Sequence, residues 1–87
     1  MPTQPAHESV CQMMARLIKA LKQEIKDKEQ RILTLNGRLS KLQSQPNPDP
    51  ALIQEIKADI HDLEAQLPTD RSQLEAAENE FAASCRH

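Results

Sequence analysis

Gln45-Pro46-Asn47-Pro48-Asp49-Pro50 is the stretch whose reading decides the fold. Each proline disfavours helix at the residue before it, so three at alternate positions break any helix that enters. The same stretch also prepares a restart. Asp49 suits a helix N-cap, and Pro50 suits the first helical position because its missing N–H would have no intrahelical partner there. The segment is therefore a connection, with the chain turning at 45–49.

Upstream, no proline interrupts the chain between Ser9 and Ser44. Ser9 with Gln12 three residues later forms a capping-box pattern, which predicts a first helix over 9–44. Residues 1–8, with Pro2 and Pro5, read as a flexible lead-in. The apolar residues keep a heptad: Ile18, Ile25, Ile32 and Leu39 at a, and Leu21, Lys28, Leu35 and Leu42 at d, with Cys11 and Met14 extending the seam backwards. Lys28 alone breaks it. Gly37 falls at an outer f position, where it costs about 1 kcal/mol relative to Ala. Asn36-Gly37 can signal a turn, but the seam continues through it, so helix is expected there.

Downstream, Ile53, Ile60, Leu67, Leu74 and Phe81 take a, and Ile56, Leu63, Asp70, Ala77 and Ser84 take d. Pro68 interrupts without changing the phase. A proline inside a helix removes one hydrogen bond and clashes with the carbonyl four residues back. The second arm is thus expected to be kinked or broken near Pro68, with two collinear segments, 50–67 and 70–84, as the favoured form.

Two arms of similar length joined by a short turn become antiparallel neighbours. Folding at the prolines pairs Leu42 with Ile53, Leu39 with Ile56, Leu35 with Ile60 and Ile32 with Leu63, each pair of residue numbers adding to 95. On the same register Lys28 meets Leu67 and Ile25 meets Asp70. The two polar intrusions, Lys28 and Asp70, therefore fall in adjacent layers with opposite charge beside Pro68, as a buried polar pair that fixes register. Residues 16–41 hold eight Lys/Arg against three acids, and 49–80 hold nine acids against two bases, so the arms attract as wholes. The flanks agree less well: Arg38 faces Asp59, but Glu29 faces Glu64 and Lys22 faces Arg71. The fold class is all-α, an antiparallel two-helix coiled-coil hairpin over 9–85, open to pairing with a second copy as a four-helix bundle.

The open end gathers the residues with chemistry. Cys11 lies opposite Ser84, one residue from Cys85, which predicts a Cys11–Cys85 disulfide. Two alternatives stand beside it: two free thiols, as in a reducing cytosol, and a zinc set of His7, Cys11, Cys85 and His87, although Cys-x-His is not a strong zinc spacing. His61, among Asp59, Asp62 and Glu64, reads as a solvated surface residue. Beside the d seam, Val10, Met13, Leu17 and Ala20 occupy g and c positions, with Phe81 across from them. These five form a candidate partner-binding surface, because an apolar face with two Met residues nearby suits protein contact.

Composition narrows the function. The 87 residues include one Gly, one Phe, no Trp and no Tyr, and the net charge is −2. There is no Gly-rich phosphate loop, no Ser/His/Asp set, and a two-helix hairpin offers no interior pocket for a substrate. An enzyme is not expected, and neither is a cofactor. No apolar run approaches the roughly 18 residues of a membrane span. Met1 to Val10 lacks a basic region followed by an apolar one, so a cytoplasmic location is expected, with secretion the alternative if Cys11 and Cys85 are oxidised. The expected function is a non-catalytic protein-interaction module, structural, assembly or regulatory, binding itself as a homodimer or another protein. The alternative from another class is nucleic-acid-linked: an RNA contact through Lys19, Lys22 and Lys26, or an inhibitor presenting the acidic arm. The absence of aromatic stacking residues and of a basic total counts against it.

Overall fold

The computed structural model describes residues 9–85, which form two helices and no strand: α1, Val10–Gln43, and α2, Pro50–Cys85. They are 34 and 36 residues long, and pack against each other as a hairpin. At 1.5 Å per residue each spans roughly 50–55 Å.

Local chemistry sets the ends. Ser9 Oγ accepts from the Gln12 N–H at 3.1 Å, and Gln12 Oε1 accepts from the Ser9 N–H at 2.9 Å, closing the capping box. α1 runs through Asn36-Gly37, where a Cβ on Gly37 would meet nothing within 4 Å. It ends at Ser44, whose hydroxyl donates to the Lys41 carbonyl at 2.9 Å. α2 opens as its sequence demands: Asp49 Oδ1 accepts from the N–H groups of Ala51 (3.0 Å) and Leu52 (3.4 Å), with Pro50 between.

The heptad emerges as burial. On α1 the side chains withdrawn from solvent are Cys11, Met14, Ile18, Leu21, Ile25, Lys28, Ile32, Leu35, Leu39 and Leu42. On α2 they are Ile53, Ile56, Ile60, Leu63, Leu67, Asp70, Leu74, Ala77, Phe81 and Cys85. One position departs from the expected seam: Ser84 is exposed and Cys85 takes its place. A straight helix advances 3.6 residues per turn against the heptad's 3.5, so a strict repeat drifts and a four-residue step can correct it.

Burial is not uniform along the hairpin. Leu35, Ile56 and Ile60, at 4%, 3% and 8% exposure, form the core with Ile32, Leu39, Leu42 and Leu63 packed around them. These are the layers predicted from the turn outward. Among the described residues Ile25 and Leu67 are the other buried ones, and no described side chain is fully enclosed. From Thr69 to Cys85 no side chain is buried. The core thus sits at the turn end and thins toward the open end.

The expected division of the second arm into 50–67 and 70–84 is not seen, since α2 continues through Pro68. Pro68 falls at the exposed b position beside buried Leu67. Its missing N–H leaves the Glu64 carbonyl without its usual donor, and that carbonyl belongs to an exposed residue that water can reach. Leu63 and Leu67 before the proline and Asp70 after it share one partner helix, so packing sustains the helix where local propensity does not.

Candidate functional site

Lys28 and Asp70 come together in the seam. Lys28 Nζ lies 2.6 Å from Asp70 Oδ2 and 3.4 Å from Glu24 Oε1. Both members of the main pair are largely covered, with side chains 18% and 13% exposed. The contact is diagonal between the two adjacent layers, and the four-carbon stem of lysine spans the gap. The hydrogen bond to Asp70 holds the Lys28 ammonium above the ordinary lysine range; partial burial opposes this, and Glu24 assists. The pair is chemically a clamp, because each charge is satisfied and none is left to act on a substrate.

The flanking charges settle differently from the sequence expectation. Glu29 does not confront Glu64 but accepts from Arg71 Nη2 at 3.2 Å, and Lys22 does not confront Arg71 but approaches Glu78 Oε2 at 3.7 Å. Both expected clashes become ion pairs because each α1 residue reaches the e residue one heptad further along α2. Long side chains lean along their helices, so a flank partner is set by reach as well as by layer. Arg38 and Asp59 form no ion pair in the structure. His61 is exposed, its Nδ1 4.0 Å from Asp62 Oδ1.

At the open end the Cys11 and Cys85 sulfurs lie at bonding distance, with Cα atoms 5.7 Å apart at a sequence separation of 74. Neither cysteine is fully buried. His7 and His87, the other members of the alternative zinc set, lie outside the described residues. Among the described residues no group of three or more His, Cys, Asp and Glu is placed to hold a metal.

The candidate partner surface divides in two. Val10, Met13 and Leu17 are 68%, 49% and 52% exposed, and Ala20 is exposed beside them. Phe81 is instead half-buried in the seam, where it lines a recess with Ala15, Ile18, Lys22 and Glu78. With the seam residues Met14, Ile18 and Leu21, the exposed set reads i, i+3, i+4, i+7, i+8 and i+11, the full apolar face of an amphipathic helix. α2 covers only one edge of that face. Further along α1 the same g and c positions hold Glu24, Asp27, Arg31, Arg38 and Lys41, so the uncovered apolar strip is confined to the open half.

Two exposed apolar residues escaped the sequence reading, Leu33 at 64% and Leu52 at 37% exposure. Leu33 and Pro68 line one shallow groove with Ile32 and Leu67, flanked by Glu29 and Arg71. Both sit at b, so they share the side of the hairpin that carries the e–e ion pairs. An apolar residue at b in each arm was the available signal.

No described helix is long and apolar enough to cross a membrane. Comparison with protein-family models, with curated proteins and with solved structures found no match, so the functional reading rests on this chain's own residues.

Proposed function

We propose that the hairpin is a non-catalytic protein-interaction module that docks a second copy of itself or another protein through the apolar strip at its open end. One observation carries the reading: Val10, Met13 and Leu17 stand about half or more exposed on successive turns of α1, beside a seam that is itself only half-buried there. Fully covering a side chain of this size yields about 1.5–3 kcal/mol, so three together favour association. Two helices sharing one stripe bury little, and small cores rarely supply more than a few kcal/mol.

The test is sedimentation of the oxidised protein across micromolar concentrations. A dimer is expected, and Leu17→Glu should dissociate it while leaving helix content intact. A mass that stays monomeric at every concentration would reject self-association and leave docking to a different protein. Raising salt should leave an apolar interface largely unchanged. Binding to a nucleic acid, the alternative reading, would instead weaken steeply with added salt.

A persistent Cys11–Cys85 disulfide would belong to an oxidising compartment, whereas a reducing cytosol would hold both thiols reduced.

A further inference from the structure

We propose that the Cys11–Cys85 disulfide is a thiol-operated latch on a hidden docking face: its reduction releases residues 69–85 from α1, with Pro68 as the hinge, and exposes the whole apolar face of the α1 N-terminal half to a partner amphipathic helix.

The segment to be released is already the weakest part of the hairpin. From Thr69 to Cys85 it contributes no fully buried residue, only the partly buried Asp70, Leu74, Ala77, Phe81 and Cys85. Ala77 offers little surface to the seam. Among the described residues its polar ties to α1 include the Lys28–Asp70 clamp at its root and the exposed pairs Arg71–Glu29 and Lys22–Glu78, and exposed pairs hold weakly. The turn half, in contrast, contains four of the five buried residues among those described: Leu35, Ile56, Ile60 and Leu67. The boundary between the halves coincides with Pro68, where the α2 backbone ladder lacks a donor. A latch at the far end is therefore placed where it controls one half of the molecule and not the other.

The chemistry is simple. A thiolate of a reducing dithiol attacks one sulfur, the Cys11–Cys85 bond breaks, and a mixed disulfide forms with the reductant. The second thiol of the reductant then resolves it. Two electrons and two protons end on Cys11 and Cys85 as thiols, and the reductant leaves as its own disulfide. Both cysteines are only partly covered, so the attacking thiol has access.

Release changes what α1 shows. In the latched form Val10, Met13 and Leu17 are exposed, but Met14, Ile18 and Leu21 face α2. Unlatched, the six form one continuous face on three turns. The kind of partner that fits is set by the segment it replaces: an antiparallel amphipathic helix presenting an acid, a Leu, a small residue and an aromatic at the spacing of Asp70, Leu74, Ala77 and Phe81. The docking half rests on the proposed interaction function. The latch half stands on the burial gradient and is tested without any partner.

The experiment is hydrogen exchange on the full chain, oxidised, reduced with a dithiol, and as the Cys11→Ser/Cys85→Ser double variant. Reduction and the double variant are each expected to lower protection across 69–85 at least ten-fold more than across 53–63. Adding Pro68→Ala to the reduced protein should shrink that contrast at least three-fold, because a restored backbone hydrogen bond couples the two halves. Equal loss in both halves, no loss in either, or collapse of all helix on reduction would overturn the latch and leave the disulfide a staple. A contrast unchanged by Pro68→Ala would overturn the hinge.

Discussion

Replacing Pro68 by Ala should stabilise the oxidised hairpin, a counterintuitive outcome for a substitution in the middle of its longest helix. Proline in a helix interior is about 3 kcal/mol less favourable than Ala. The structure accepts this because α2 stays helical through Pro68, held by seam residues on either side. Two effects reduce the gain. Ala returns freedom to the unfolded chain that Pro had removed, about 0.4–1 kcal/mol. The ring also lines the groove with Leu33 and Leu67, but Pro68 is exposed, so its loss there is worth a few tenths of a kcal/mol at about 25 cal/mol per Å². The net expectation is about 1.5–2.5 kcal/mol of added stability. For a domain of this size that corresponds to roughly 6–20 °C in Tm. The assay is thermal and urea unfolding of oxidised protein by far-UV circular dichroism. Gly37→Ala serves as a control: it adds a methyl where nothing lies within 4 Å, and should stabilise by about 0.5–1 kcal/mol through backbone entropy alone. If Gly37→Ala stabilises while Pro68→Ala is neutral or destabilising, the packing of the Pro68 ring outweighs its backbone cost, and the hinge has no physical basis.

The remaining predictions concern the charged layer and the clip. Asp70→Ala should destabilise more than Lys28→Met, because it leaves a largely covered ammonium with only Glu24, whereas Met supplies apolar packing; equal small effects in chemical denaturation would show the two side chains to be independent. The folded-state pKa of Lys28 is raised, so its contribution is complete below the ordinary lysine pKa and is lost as pH climbs through the raised value. The stability gap between wild type and Lys28→Met should accordingly hold through neutral pH and change only under strongly alkaline conditions; a shift near neutrality would contradict it. At a sequence separation of 74 between the cysteines, the chain-entropy model gives about 4.5 kcal/mol of stabilisation from the disulfide. Oxidised protein should melt well above reduced protein, Cys11→Ser and Cys85→Ser should each abolish the difference, and the intact mass should be lower by two hydrogens; a full mass with both thiols free to alkylate would remove the clip.

How much of this was legible in the chain depends on the range over which each feature is decided. Caps, turn and heptad are local. Ser9 with Gln12, and Asp49 with Pro50, satisfy orphan N–H groups from within a few residues, and the alternation of three- and four-residue steps from Cys11 to Leu42 fixes which face is apolar. With a turn too short to allow anything but reversal, these determine the antiparallel register, and with it the meeting of Lys28 with Asp70 and of Cys11 with the end of α2. Other features required two helices side by side. Helical drift accumulates over the length of α2, so only the packed structure places Cys85 rather than Ser84 at the seam. Glu29 with Arg71 and Lys22 with Glu78 are chosen by the reach of flexible side chains across a gap, which heptad letters do not describe. Pro68 is the sharpest case. Local propensity argues for a break, and the tertiary structure overrides it because Leu63, Leu67 and Asp70 all face the same partner helix, whose contacts outweigh one missing hydrogen bond. The sequence by itself determined which residues could share a face; only the packed pair of helices decided how far burial extends along it, leaving the turn end closed and the open end half-covered.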